Sequence, residues 1–224
     1  MNLFELQDVS RSYGASNREV RALNGVSLCI PGGEMLALAG PSGSGKTTLL
    51  NLLGLLDLPQ GGRLCFEERD TARMTERQRA SIRRCRLAFV FQTLNLIPVL
   101  TAYENVEYFL VKQGPTNGSA RKCALEALEC AGVTAQAHCR VSDLSGGEKQ
   151  RVAVARAIAR NVDVILADEP TAALDQKTAG QVIELLRCLN RQRGTTIVFT
   201  SHDPHILGHA DRVIFLRDGR IQTQ

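Results

Sequence analysis

Apolar positions along the chain fall into two alternating patterns. Met35–Ala39, Leu87–Phe91 and Val164–Ala167 are apolar runs of strand length, and Thr195–Thr200 reads as another strand of the parallel type, as expected of strands covered on both faces. Stretches of helical period stand between them. Leu49–Leu56 follows the first run. Ala120–Ala131 carries Ala124, Leu125, Ala127 and Leu128 on one stripe, and Gln176–Arg193 carries Val182, Leu185, Leu186 and Leu189. The ends of the chain read differently. Phe4–Val9 alternates apolar and polar positions, as a half-buried strand does, and Tyr13-Gly14 ends it. After a polar turn at 15–19, Ala22–Ile30 leads through Pro31-Gly32-Gly33 into Met35–Ala39, two strands joined by a turn. Arg63–Phe66 reads as a short strand. Arg212–Leu216, Asp218-Gly219 and Ile221 read as a closing hairpin.

Local signals place the helix ends. Thr75 with Gln78, Thr101 with Glu104, and Ser145 with Glu148 have the spacing of a capping box. Asp175 precedes a helix that Gly194 stops. The stretch from Thr93 to about Val141 reads as mainly helical, with a loop at 114–118. It interrupts the alternation of strand and helix and is expected to form an inserted helical lobe, roughly 93–141, within a single domain spanning 1–224.

Composition narrows the class. The chain has 224 residues, 44% hydrophobic and 22% charged, ordinary values for a globular domain with a sizeable core. No run approaches the roughly 18 apolar residues of a membrane span. Met1–Leu6 lacks a basic segment followed by an apolar core, so a cytosolic location is the expectation. Net charge is +4, from 27 basic and 23 acidic residues. That is no argument for nucleic acid, and none is expected as a partner. The seven cysteines (Cys29, Cys65, Cys85, Cys123, Cys130, Cys139, Cys188) are scattered without a CxxC pair. They read as reduced thiols rather than a zinc site. Arg63–Arg86 holds eight Arg against Glu67, Glu68, Asp70 and Glu76. This is either a solvated face or a contact for an acidic or membrane-proximal partner.

Three stretches carry candidate chemistry. Gly40-Pro41-Ser42-Gly43-Ser44-Gly45-Lys46-Thr47-Thr48 fits GxxxxGK[ST] between an apolar run and a helix. Its glycines let backbone N–H groups turn onto phosphate oxygens, and the helix start adds its positive dipole end. Lys46 would add a charge, and the Thr47 hydroxyl a Mg²⁺ ligand. Leu144-Ser145-Gly146-Gly147-Glu148 is either a capped helix start or a second phosphate-binding terminus; spacing leaves both open. Val164–Ala167 ends in Asp168-Glu169. There Asp168 would hold Mg²⁺ and Glu169 would accept a proton from an attacking water. Gln92 and His202, each ending an apolar run, read alone as strand-end side chains, and Tyr13 reads equally as a ring stacked on a base or as a strand cap.

In this order the stretches resemble the nucleotide-binding subunit of ABC transporters. Walker A falls on Gly40–Thr48, the Q-loop on Gln92, and the signature on Leu144–Glu148. Walker B is Val164–Asp168 with catalytic Glu169, the D-loop is Ala173-Leu174-Asp175, and the H-loop is His202. Tyr13 stands where that family has its adenine-stacking aromatic. Gly54–Asp57, Phe91–Pro98, Leu100–Val106 and Ala167–Asp175 are similar to the MacB/LolD group. Ala172 stands where Gly is usual, Lys149 follows Glu148, and Ser201 precedes the histidine where Thr is frequent. The resemblance implies an α/β P-loop NTPase core of the ABC type, with a mostly parallel sheet, an N-terminal antiparallel β-layer and the inserted helical lobe. It implies ATP and Mg²⁺, with Thr47, Gln92 and Asp168 about the metal, and an ATP-dependent homodimer. Ser145, Gly146, Gly147 and Asp175 of that dimer would meet the other copy's nucleotide, and His202 would sense the γ-phosphate. Transmembrane permease subunits would hold the chain at the inner face of the membrane. Two rivals are a non-transport ABC ATPase and a P-loop phosphotransferase. The first lacks its coiled-coil insertion or tandem copy here, and the second leaves Leu144–Glu148 and Asp175 unexplained.

Overall fold

The computed structural model of the chain describes residues 2–14, 19–113, 120–172 and 174–222. Most of the expected turn at 15–19, the expected loop at 114–118 and Ala173 lie outside the described residues. The chain opens with β1 (Asn2–Tyr13), β2 (Val20–Pro31), β3 (Met35–Ala39) and α1 (Lys46–Leu53). It continues through β4 (Gly61–Phe66), β5 (Arg69–Asp70), α2 (Glu76–Cys85) and β6 (Leu87–Val90). Then come α3 (Ala102–Gln113), α4 (Ala120–Cys130), α5 (Gly146–Ala159) and β7 (Val164–Ala167). It closes with α6 (Gln176–Arg193), β8 (Thr196–Thr200), α7 (Pro204–Leu207), β9 (Arg212–Arg217) and β10 (Arg220–Ile221).

Two sheets result. One has the order β2-β1-β4-β5 and is antiparallel. The other has the order β10-β9-β3-β8-β7-β6, parallel except for β10 at its edge. The turn at Pro31–Gly33 is present, but the strands it joins do not pair: β2 stays with β1, while β3 enters the parallel sheet between β8 and β9. The difference follows from burial. All of β3 is buried, so it needs cover on both faces, whereas β2 alternates buried and exposed positions.

Along β3 and β7 successive side chains feed opposite cores. Met35, Ala37, Ile165 and Ala167 join the helical side, with α3, α4, α5 and α6. Leu36, Leu38, Val164 and Leu166 join the side where α1 lies under the antiparallel sheet, with Phe4, Leu6, Ile30 and Phe66. Helix α1 is therefore held in the core by Leu49, Leu50, Leu52 and Leu53. Helix α5 is buried on most of its circumference, from Val152 to Ile158. Such a helix is sequestered between other elements rather than laid on a surface.

The segment between β6 and α3 is not helical. Leu94 and Asn95 have positive φ. Their carbonyls accept from the buried Arg156 guanidinium, at 2.7 and 2.6 Å. Burial pushes that guanidinium down to about 10. Buried Asn105 closes the segment further on, accepting from Ile97 N–H at 2.7 Å and donating to Thr101 O at 2.9 Å.

The arginine-rich segment is largely taken up within the chain. Arg79 and Arg83 both meet Glu76, Arg86 joins Glu67 and Asp163, and Arg63 and Arg73 meet Asp70. Exposed pairs of this kind contribute little each, about 0–1 kcal/mol. The Glu76 pairs lie within α2, whereas Arg86, at the end of α2, reaches Glu67 after β4 and Asp163 before β7.

Capping boxes form at Thr75, Thr101 and Ser145. Hydrogen bonds from the Thr101 backbone and hydroxyl hold the Glu104 carboxyl below the usual range, and those from Ser145 do the same for Glu148. Their stabilisation is present above the unfolded glutamate value, about 4.3. It is lost as pH falls through the lower folded values. Gln can serve at the third position of such a box without a charge. The Glu104→Gln/Glu148→Gln variant is thus expected to lose less melting temperature than the parent between about pH 6 and about pH 3.5. An equal loss in a thermal melt would locate the acid sensitivity elsewhere.

Candidate functional site

The parallel sheet brings the candidate residues to the C-terminal ends of four strands. Asp168 N–H donates to Val90 O at 2.8 Å, and Ser201 N–H donates to Leu38 O at 3.2 Å. These bonds align the ends of β6 with β7 and of β3 with β8. Ligands bind at this edge in open α/β sheets.

The loop after β3 is bare backbone set against backbone. Gly40 has φ +140°, and a Cβ there would stand 2.1 Å from Leu216 O on β9. Gly45 has φ +105°, and its Cβ would stand 2.3 Å from Ala22 O on β2. L side chains strain at such angles, so glycine is required at both. Gly219, in the β9–β10 turn, donates its N–H to Ser44 O at 3.1 Å. The closing hairpin is thereby a brace for the loop. Inside the loop, Lys46 Nζ donates to Gly40 O at 2.8 Å and to Pro41 O at 2.9 Å. Ser44 Oγ is buried and has no hydrogen-bond partner among the described residues. A buried hydroxyl in that state costs about 1–3 kcal/mol unless something else bonds it. Pro41, Ser42 and Gly43 are exposed, and Thr48 is partly buried in the first turn of α1.

Across from the loop, Thr47 Oγ1 donates to Asp168 Oδ2 at 2.8 Å. Asp168 Oδ1 accepts from Thr200 Oγ1, also at 2.8 Å. Thr200 Oγ1 in turn accepts from Glu169 N–H at 2.7 Å. Glu169 has φ +47°, a conformation that costs a non-glycine residue of order 1 kcal/mol or more and persists only where its neighbours hold it. His202 Nδ1 lies 3.8 Å from Glu169 Oε1. Both line an opening of about 260 Å³ with Thr171, Leu174, Ser201 and Asp203. Thr47, Asp168, Glu169 and His202 are thus brought together. Thr200 was not among the sequence candidates; its only signal was a hydroxyl at the end of a buried strand, TIVFT.

The remaining candidates stand apart from this network. Gln92 is exposed just beyond β6. The Ser145 hydroxyl donates to Glu148 Oε2 at 2.7 Å and accepts from Glu148 N–H at 3.3 Å, so the capping role is present. Gly147 faces Leu174, whose Cδ2 would lie 3.3 Å from an added Cβ. Gly146 has nothing within 4 Å of that position. Asp175 caps α6 by accepting from Thr178 N–H at 3.1 Å, which holds its carboxyl below the usual range. Tyr13 ends β1, its hydroxyl donating to Asp57 Oδ2 at 2.9 Å.

Known proteins are similar to this chain in sequence and fold. A family profile described as ABC transporter matches residues 23–172. An uncharacterized ABC transporter ATP-binding protein of Methanocaldococcus jannaschii, MJ0796, is 42% identical over 99% of this chain and 96% of its own length. The solved dimer of that cassette in a post-hydrolysis state, bound to ADP and Pi, superposes with a TM-score of 0.93 over 98% of this chain and 97% of that one. LolD 1 of Rhodopseudomonas palustris, a lipoprotein-releasing system ATP-binding protein, is 41% identical over 98% of each chain. The macrolide export ATP-binding/permease protein MacB of Hyphomonas neptunium is 44% identical over 98% of this chain, which spans 34% of that protein.

Thr200→Val keeps the shape of the buried side chain but removes the acceptor for Glu169 N–H and the donor to Asp168. It is expected to cost about 1–3 kcal/mol in urea unfolding. Thr200→Ser, which keeps the hydroxyl, is expected to lose less. Equal losses in the two variants would show that the methyl group matters rather than the bonds.

Proposed function

The chain belongs to the ABC transporter family, and from that premise we propose that it binds and hydrolyses ATP between two copies of itself, driving membrane subunits of a MacB- or LolD-like system. The observation that carries this reading is the convergence of the Gly40–Thr48 loop with Asp168, Glu169 and His202 at one edge of the sheet. The loop amides, the buried Ser44 hydroxyl and Lys46 are the groups that would hold a triphosphate. Tyr13 would stack on adenine. In this reading, the attacking water gives its proton to the Glu169 carboxylate and its oxygen to the γ-phosphorus. The bond from that phosphorus to the bridging oxygen breaks, leaving ADP and phosphate. His202, beside Glu169, would contact the γ-phosphate.

Thr47 and Asp168 present hydroxyl and carboxylate oxygens 2.8 Å apart, donors that suit a hard cation, and Gln92, exposed beyond β6, would have to swing in to add an amide oxygen. Mg²⁺ fits this set, with Thr47 and Gln92 as ligands and Asp168 behind them. When bound it supplies neutralisation of charge on the β- and γ-phosphate oxygens.

The dimer reading draws support from Gly146. Among the described residues nothing lies within 4 Å of a Cβ added at Gly146, the exposed first position of α5. An outside body approaching bare N–H groups at the start of α5 gives the glycine a reason. In the proposed dimer, Ser145, Gly146 and Gly147 of one copy close over the γ-phosphate held by the other, with Asp175 on the same face. Closure would move the helical lobe, roughly 93–141, and pull on a permease subunit at the cytoplasmic face of the membrane. Among the described residues, no helix is long and apolar enough to cross a membrane. The relatives named for macrolide export and lipoprotein release support a partner of the permease class.

Glu169→Gln keeps the size of the side chain and removes its basicity. Hydrolysis is expected to fall about 100-fold or more. In size-exclusion chromatography the variant is expected to shift from monomer to dimer only with ATP and Mg²⁺. Unchanged turnover would refute the role of Glu169. Lost turnover without an ATP-dependent dimer, both alone and with the permease subunits present, would refute the shared site.

A further inference from the structure

Asp57 and Arg11 surround Tyr13 in a way that the proposed chemistry does not use. Asp57 Oδ2 accepts from the Tyr13 hydroxyl at 2.9 Å, and Arg11 Nε lies 2.9 Å from the same oxygen. Asp57 Oδ1 accepts from Leu58 N–H at 2.8 Å, which fixes the carboxylate plane. The Arg11 guanidinium carbon sits 4.9 Å from the centroid of the Tyr13 ring, within cation–π range. Backbone bonds reinforce the junction: Ser12 N–H donates to Gln60 Oε1 at 2.6 Å, and Gln60 N–H donates to Ser10 O at 2.9 Å.

The ring would otherwise turn freely about its two side-chain torsions at an exposed strand end. Tied at its hydroxyl, with Arg11 over one face, Tyr13 remains 40% exposed. Arg11 and Asp57 are only 22% and 23% exposed, so water competes weakly for their pairing. Asp57 also stands just past Gly54, the C-cap of α1, and α1 starts at Lys46 in the phosphate loop. The buried helix therefore acts as a rigid spacer between the loop and the tyrosine ring.

We propose that Asp57 and Arg11 clamp the Tyr13 ring at a set distance from the phosphate loop, with its other face presented to the base of the nucleotide. Asp57 is then a positioning residue for nucleotide binding rather than a catalytic one. The clamp rests on the reading of Tyr13 as the base-stacking ring, and its action is confined to the base end of the ligand.

The test compares steady-state hydrolysis of ATP by Asp57→Ala, Asp57→Asn and Tyr13→Phe with inhibition by tripolyphosphate, a ligand with phosphates and no base. Asp57→Ala is expected to raise KM for ATP about three- to tenfold, the size of one lost hydrogen bond, with kcat within about twofold. Its inhibition constant for tripolyphosphate is expected to match the parent. Tyr13→Phe is expected to raise KM similarly, and the double variant no further, as for groups acting through one bond. Asp57→Asn, which keeps an acceptor for the hydroxyl, is expected to recover most of the loss. An unchanged KM in Asp57→Ala and Tyr13→Phe would overturn the clamp. So would a parallel rise in the tripolyphosphate constant, because Asp57 would then support the phosphate helix instead. Tyr13→Ala separates the premise from the clamp: if it leaves KM for ATP unchanged, the base-stacking role fails and the clamp has nothing to position.

Discussion

The structure depends on one close approach, bare backbone against bare backbone around the loop that follows β3. The Leu216 carbonyl stands where a Cβ of Gly40 would be, and the Ala22 carbonyl where a Cβ of Gly45 would be. The wedge leaves no room for a side chain at either glycine, so the loop stays bare backbone around the buried Lys46. The wedge also explains the sheet around it. β9 must lie beside β3, and the start of β2 must pass on the other side, even though β2 belongs to the other sheet. The short hairpin at the end of the chain earns its place as a brace, through Gly219 N–H on Ser44 O and Gly219 O accepting from Asn24 N–H.

The acidic side of the site is held by a different device. Thr200, fully buried at the end of β8, gives its hydroxyl proton to Asp168 and accepts the Glu169 N–H. One side chain thus orients one carboxylate and pins the strained backbone of the next. Because β8 lies between β3 and β7, the same strand that carries Ser201 and His202 at its end sets the geometry of the pair. Sequence distance is irrelevant to this arrangement; the parallel ladder supplies it.

Helix α5 has a buried body and an exposed start. Its body is buried among α3, α4, α6 and the sheet, which makes it rigid. Its first residues, Ser145 and Gly146, are exposed and capped by the chain's own Glu148. The cap satisfies the helix end without filling the space before it. A rigid helix with an open, glycine-bearing start suits recognition by a second body, and the relatives solved as dimers are built on the same fold.

What the sequence determined by itself was local or periodic. The buried strands, the capping boxes at Thr75, Thr101 and Ser145, the Asp175 cap and the loop motif all arise from residues within a few positions of one another. Their physics needs no knowledge of the rest of the chain. Gly40, Lys46, Thr47, Asp168 and Glu169 could be named as candidates for the same reason, since each sits in a short motif at the end of an apolar run. Tertiary structure alone decided the rest. Pairing β3 with β8 and β9 rather than β2 required both faces of a wholly apolar strand to be covered. Thr200 meets Asp168 from 32 residues away, and Tyr13 meets Asp57 from 44. No period or spacing encodes such pairs. They exist because two cores on opposite faces of one sheet bring the ends of distant elements to the same edge.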